Sequence, residues 1–497
     1  MLSRAMHLGL LKKATEQNTE FDVIVIGGGA TGLGTALDAA TRGLKVLLLE
    51  ANDFAKGTSS RATKLAHGGV RYLAQGNISL VREALHERGR MLANAPGLVK
   101  PLAFVIPARN WFGKLFYWLG LKVYDLLAGR LGVGPTTLMS RNAVLNAIPT
   151  LKADGLAGGV RYFDAQFDDA RLAIALMKTI HRQGGLAVNY VRVTGFEKKE
   201  GRICGVSAQD TLGGDIFHLK AKAVVNATGV WVDEVRNMDD PSHAKILSPS
   251  QGVHVVVDSH FYPSKDALLV PKTADGRVLF VVPWLGKTLI GTTDTARQDA
   301  PLEPKPLKGE IDFVLNTAGQ YLKKAPTRAD VRSVFVGLRP LVKQGHASST
   351  KSISREHTIL TDPSGLVTIT GGKWTTYRSM AEEVMNVVVK QHSLRAGPSK
   401  TAALKLDESA ATGVANALDA RLGLTRSDME FAVSDEMAVT IEDILARRSR
   451  ALFLDAEAAL ACVDEAADVL RMMLGVSDVE LQRQRDFFEE LVRQYRV

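Results

Sequence analysis

The chain has 497 residues, 46% hydrophobic and 23% charged, which supplies two or three domains and excludes a disordered or fibrous class. Its two cysteines, Cys204 and Cys462, stand far apart with no C-x-x-C spacing, so a disulfide framework or a zinc site is not expected and a reducing compartment fits. The net charge of +9 favours anionic partners (phosphorylated substrates, acidic lipid or nucleic acid) without selecting one, and a solvated basic surface explains it equally well.

Residues 1–20 read as a polar, partly helical lead-in. The apolar run 8–11 stops at Lys12 and Lys13 and is too short for a signal peptide. No uninterrupted apolar stretch of about 18 residues occurs, so no spanning helix is expected. FDVIVI, at 21–26, is apolar and β-branched, which suits a strand buried on both faces. A helical pattern follows over 31–42, Gly43 ends it, and LKVLLL at 44–49 reads as a second parallel strand. This is one βαβ unit.

Gly27, Gly29 and Gly32 stand directly after the first strand as G-x-G-x-x-G. One glycine makes the tight turn, the next lets a pyrophosphate approach the backbone, and the third lets helix and strand pack closely. The helix N-terminus offers N–H groups to phosphate. Glu50 ends the second strand, where a carboxylate binds ribose hydroxyls and repels a 2′-phosphate. The reading is a dinucleotide site that disfavours NADP. FAD is preferred over NAD on three grounds: the fingerprint opens a long chain, a later apolar strand at 222–227 ends in Asn226-Ala227-Thr228-Gly229, and no second full fingerprint follows.

Further strands are expected at 253–258, 278–283 and 288–291, with a turn at Gly286, as parts of a second sheet. A Pro- and Lys-rich loop spans 304–308. A strand at 366–370 leads into Gly371-Gly372, and a helix runs over 377–392. After a linker at 396–407, amphipathic patterns at 436–454, 456–474 and 479–495 predict a small helical domain.

Three stretches narrow the family: TSSRATKLAHGGVRYL at 58–73, VVPW and IGTTD within 278–294, and GGKWTTYR at 371–378. With Arg339 in GLRPL and Arg355 in SREHTI, they resemble the flavin-dependent glycerol-3-phosphate dehydrogenases of the D-amino-acid-oxidase-like superfamily, over about 21–392 and into the helical tail. The sequence departs from that pattern at Gln251, where some members carry lysine, and at Trp374, where leucine is common. The resemblance implies an α/β protein with a Rossmann-like FAD-binding domain (21–75, 155–235 and 335–395). This would be interleaved with a mixed-sheet substrate domain (76–154 and 236–334) and followed by a C-terminal α-helical domain (396–497).

It also implies oxidation of sn-glycerol 3-phosphate to dihydroxyacetone phosphate, with FAD taking the hydride and a membrane quinone taking the electrons. Burying a phosphate needs cationic donors. The candidates are Arg71, Arg339, Arg355 and Lys373, with Tyr72 beside them; each basic residue could instead be a structural ion pair. Arg339 and Lys373 are also candidates for stabilising developing charge. His254 is the expected base, since imidazole titrates near neutrality. A strand histidine can equally be structural, and His67 is the rival. Expected flavin contacts are Gly27, Gly29, Gly32, Glu50, Thr58, Ser59, Ser60, Lys64, His67, Gly68, Gly229, Gly372, Lys373 and Thr375. No metal site is expected.

The segment 111–131 interleaves aromatics and leucines with Lys114, Lys122 and Arg130, a pattern that fits a membrane interface, a core helix or a subunit contact. The expected place is cytoplasmic, peripherally attached to the inner face of the cytoplasmic membrane through anionic lipid. A homodimer is among the partners the sequence allows. Rival readings are an oxygen-using glycerol-3-phosphate oxidase, an amine or amino-acid oxidase, and a tRNA-binding FAD protein. The last lacks a basic patch with interleaved aromatics, so no nucleic acid is expected.

Overall fold

The structure, a computed structural model, describes residues 3–73, 76–271, 273, 277–343, 357–411, 418, 419 and 421–497. The run expected as a strand at 21–26 forms Glu20–Ile26, buried from Val23 onward. It pairs in parallel with Val46–Leu49 on one side and Ile216–Asn226 on the other. Parallel neighbours need a crossover, and the helix Ala30–Thr41 supplies it between Glu20–Ile26 and Val46–Leu49. Leu186–Val188 extends the sheet at one end, Val367–Gly371 and His357–Thr361 at the other. Val191–Lys199 and Arg202–Asp210 continue from Ile216–Asn226 as an antiparallel meander.

In the second sheet, Ser250–Asp258 runs antiparallel between Lys287–Gly291 and Val331–Arg339. The hairpin Leu279–Trp284 to Lys287–Gly291 turns at Leu285 and Gly286, both with positive φ (45° and 78°). Two central residues in that region are what a tight hairpin turn demands. The sheet goes on through Ala267–Val270, Val99–Ala108 and Gly158–Phe167 to Leu65–Ala66. Strand pairing therefore moves some expected boundaries. Leu65–Ala66 and Gly158–Phe167, expected with the dinucleotide domain, pair in the second sheet, and Val331–Arg339 crosses the boundary drawn at 335. An apolar strand is legible from its residues, whereas its partner is set by long-range contacts.

Ala30–Thr41, Asp169–Arg182 and Tyr377–Gln391 share one buried cluster with the first sheet. The C-terminal helices share another with residues of the second sheet, including Val256, Val282, Leu289 and Phe335. Those helices are more broken than expected. The pattern at 436–454 forms a wide π-helical turn at Asp443–Arg448 and a short helix Ala451–Leu454, separated by Arg450 at φ 66°. The pattern at 456–474 splits into Ala456–Leu460 and Val463–Leu474. A further helix, Arg426–Asp435, precedes them.

Candidate active site

A cleft of about 360 Å³ opens at the carboxyl ends of the parallel strands of the first sheet, where open α/β sheets bind ligands. Gly27, Gly29, Glu50, Thr58, Ser59, Gly229, Gly372 and Lys373 line it, as does Ala227-Thr228. Gly27 has φ 109°, and a Cβ there would sit 2.8 Å from the Ala227 carbonyl oxygen. A Cβ on Gly32 would run into the carbonyl of Gly27. The helix Ala30–Thr41 begins at Gly29 with no side-chain cap, so its N-terminus meets the cleft as backbone.

Glu50 is held before any ligand arrives. The Gly28 N–H (2.6 Å) and the Asn52 N–H (2.8 Å) donate to its carboxylate. Burial pushes this carboxyl upward, and the two backbone donors pull the other way. The loop after the second strand is pinned from several sides. The Ala30 N–H donates to Ser59 Oγ (2.9 Å), Thr58 Oγ1 donates to the Leu338 carbonyl (2.6 Å), and the Trp374 indole N–H donates to the Ser59 carbonyl (2.9 Å). Leucine at 374 could not make that last bond. The other departure, Gln251, is buried, donates to Glu310 (2.5 Å) and accepts from Arg297 (2.8 Å).

Two expected flavin contacts have partners within the protein. Ser60 is buried outside the cleft lining and donates its hydroxyl to the Ala55 carbonyl (2.7 Å), which fastens the turn. Lys64 is fully buried, and its ammonium donates to both oxygens of Asp169 (2.8 and 2.7 Å) and to the Ser60 carbonyl (2.7 Å). The rings of Trp284, Phe335 and Phe453 surround it. Burial pulls the Lys64 ammonium down to about 7, against the opposing pull of Asp169. A lysine in a polar loop read as a ligand contact; a buried anion from a distant helix claims it.

His67, Gly68 and Thr375 stand outside the cleft lining and tie neighbouring loops together. The His67 N–H donates to Thr375 Oγ1 (3.2 Å), and the Gly68 N–H donates to the Tyr124 hydroxyl (2.7 Å), which donates to Asp164 (2.8 Å). Gly32 packs helix on strand. Arg355 and the side chains of Arg71 and Tyr72 lie outside the described residues.

His254 and Arg339 come from adjacent strands of the second sheet, registered Ser250 to Arg339 and His254 to Phe335. His254 is 3% exposed and stacks on Phe335 at 4.9 Å. Its Nε2 lies 2.9 Å from Thr63 Oγ1, and Nδ1 has no hydrogen-bond partner among the described residues. Burial first, then Lys64 and Arg339, hold its pKa well below the usual histidine range.

Arg339 donates to the Thr293 carbonyl (3.0 Å) and Thr292 Oγ1 (3.4 Å), with Asp294 at 3.4 Å. It lies over Gly252, where a Cβ would collide with the guanidinium. Its chain neighbour Pro340 lines the cleft, as does Lys373, whose ammonium nitrogen is buried. Sequence reasoning missed Thr63, Asp294, and the cleft-lining Asn52, Lys56, Arg192 and Trp231. The G-x-G-x-x-G spacing that exposes glycines says nothing of these side chains. Only the position of Asn52 and Lys56, just past Glu50, signalled them.

The residues fit FAD. Gly27 and Gly32 let strand, turn and helix pack closely, Gly29 brings backbone to the cleft, and Glu50 and Gly371–Trp374 line the same cleft. The comparisons agree. The family described as FAD dependent oxidoreductase matches residues 22–378, and the C-terminal domain of alpha-glycerophosphate oxidase matches 367–481. The chain is thus an FAD-dependent oxidoreductase.

Curated relatives define it further. The mitochondrial glycerol-3-phosphate dehydrogenases of Homo sapiens and Macaca fascicularis are each 40% identical to it over 95% of this chain and 73% of their own length. A glycerol-3-phosphate dehydrogenase from Bacillus halodurans, solved with FAD, superposes with a TM-score of 0.80 at 29% identity, covering 100% of this chain and 98% of that one. The chain belongs to the FAD-dependent glycerol-3-phosphate dehydrogenase family. An L-alpha-glycerophosphate oxidase from Mycoplasma pneumoniae shares the fold, with a TM-score of 0.59 at 18% identity over 78% of this chain and 99% of that one.

Proposed function

We propose that this protein oxidises sn-glycerol 3-phosphate to dihydroxyacetone phosphate and passes the electrons to a membrane quinone. The observation that carries the reading is a buried His254 with an Nδ1 that has no partner among the described residues, on the strand next to that of Arg339. FAD, when bound, supplies the acceptor for the C2 hydride. The protein supplies the rest. His254 takes the hydroxyl proton at Nδ1, which requires that Nε2 carry a proton and donate to Thr63. Arg339, braced by Asp294 and the Thr293 carbonyl, meets the phosphate. Lys373, Arg355, Arg71 and Tyr72 complete the proposed substrate set. Lys373, Thr58, Ser59, Glu50 and the glycines at 27, 29, 229 and 372 form the proposed flavin set.

Attachment to a membrane is supported by the helix Trp111–Ala128. Its inner face buries Leu121, Tyr124 and Ala128, while Phe112 is 84% and Phe116 70% exposed, with Trp111, Leu119 and Leu126 also exposed. Lys122 and Arg130 flank this apolar face. An amphipathic helix with aromatic and basic residues suits the headgroup boundary of anionic lipid. No helix of the described residues is long and apolar enough to cross a membrane. The proposed place is the inner face of the cytoplasmic membrane.

The test is an anaerobic titration of the yellow holoenzyme with sn-glycerol 3-phosphate. Loss of flavin absorbance at about one equivalent is expected; no loss overturns the substrate. On admitting air, slow reoxidation that a quinone accelerates is expected. Fast reoxidation with peroxide would replace the quinone by oxygen.

A further inference from the structure

The C-terminal helical domain has no part in the proposed reaction, yet its arginines end on the loop that walls the flavin cleft. Asn52 and Lys56 line that cleft, and Asp53 lies between them, fully buried. Arg447 Nε donates to Asp53 Oδ2 (2.5 Å), and Arg448 grips both oxygens of Asp53 (2.6 and 2.9 Å). Lys56 is paired with Glu442 and with Glu303 (3.0 Å). Arg447 closes the circuit onto Glu442 (2.5 Å) and Asp443 (2.6 Å). Asp53, Glu442 and Asp443 thus face Lys56, Arg447 and Arg448, all buried, with their formal charges cancelling.

Two residues beyond Arg448, Arg450 donates to the carbonyl of Ser60, at the end of the same loop (2.9 Å), and to Asp169 (3.1 Å). It does so from a left-handed backbone, φ 66°. A non-glycine residue stays there only where its contacts over-determine the conformation. Apart from the turn Thr58–Ser60, residues 50–64 form no regular secondary structure. Their shape rests on side-chain anchors, and the strongest of these come from about 390 residues later in the chain. A buried ion whose partner is removed is costly, so a fully paired cluster admits one arrangement.

We infer that Arg447, Arg448 and Arg450 clamp residues 52–60 in the shape that accepts FAD, so that the C-terminal domain determines cofactor retention. The arginines are positioning residues: they act on the flavin through Asp53, Lys56 and Ser60. The competing view is that the cluster only joins two parts of the chain. In that case the arginines would govern stability and leave FAD affinity alone.

Two measurements separate these. Apoprotein of Arg448→Gln is titrated with FAD by flavin fluorescence, at a temperature where circular dichroism shows it folded. The dissociation constant is expected to rise about tenfold or more, with Arg448→Lys in between. Leu470→Ala, a buried change in the core of the same domain, should lower Tm while leaving FAD affinity within about twofold. An unchanged affinity in Arg448→Gln, or an equal loss in Leu470→Ala, overturns the inference. The second measurement needs no variant. FAD added to wild-type apoprotein should slow amide exchange at 441–450 as well as at 52–60; slowing confined to 52–60 also overturns it.

Discussion

The two sides of this active site are made of different material. The wall at the end of the first sheet is mostly backbone: glycines at 27, 29 and 229, a helix N-terminus, and loop carbonyls and N–H groups pinned by Ser59, Thr58 and Trp374. The proposed substrate face on the second sheet is made of side chains, with Arg339 held by Asp294 and His254 on the neighbouring strand. A backbone wall recognises what every FAD shares, a pyrophosphate and a ribose. A side-chain face can be set for one substrate, in the proposed reaction a phosphate to be gripped and a hydroxyl proton to be removed. The division predicts that damage to one side spares the function of the other.

A large separable effect on substrate binding is expected at Arg339. Arg339→Met removes a charged donor from the phosphate, a loss of roughly 1.5–3 kcal/mol, or about ten- to a hundredfold in kcat/KM for sn-glycerol 3-phosphate. FAD content, read from the visible absorbance of the purified protein, should not change. Loss of flavin in this variant would break the comparison.

A smaller effect is expected at the exposed face of Trp111–Ala128. Phe112→Ser with Phe116→Ser removes two exposed rings, and binding to anionic vesicles should weaken by about tenfold or more, since each buried apolar side chain contributes roughly 1.5–3 kcal/mol. Flavin reduction by substrate should be unaffected. Unaltered vesicle binding would move the membrane contact elsewhere.

The smallest effect is on stability. The folded pKa of His254 lies below its ordinary value, so only the unfolded chain takes up this proton as the pH falls under about 6.5. Its contribution is intact above about pH 6.5 and is lost progressively below that, by about 1 kcal/mol for the first unit. His181, pushed down to about 3, acts in the same direction. Urea midpoints at pH 7.5 and 5.5 should therefore separate less in His254→Gln than in wild type. An equal separation in the two proteins would mean that His254 titrates alike in the folded and the unfolded chain.

The same contrast governs what could be read in advance. The glycine wall was legible because its physics demands one residue type at set spacings beside a strand and a helix. His254 and Arg339 were legible as candidates, yet nothing local announced that residues 85 positions apart would lie on neighbouring strands. Lys64 shows the limit: the family resemblance pointed it to the flavin, and only the fold reveals Asp169, 105 residues away, as its partner. The arginines at 447, 448 and 450 fell within the amphipathic pattern at 436–454, and nothing local pointed to partners as distant as Asp53, 395 residues from Arg448, or Ser60, 390 residues from Arg450. The same buried pairs explain why the long helix expected at 436–454 is broken: Arg450 must turn out of helical geometry to reach Ser60 and Asp169.

The most direct test of the central claim, that His254 takes the substrate proton beside an intact flavin wall, is rapid-mixing reduction of the His254→Ala holoenzyme by sn-glycerol 3-phosphate under anaerobic conditions. The account predicts normal FAD content, a substrate dissociation constant within a few fold of wild type, and a flavin-reduction rate slower by about 10²–10⁴-fold. Reduction at the wild-type rate would contradict it and remove His254 from the chemistry.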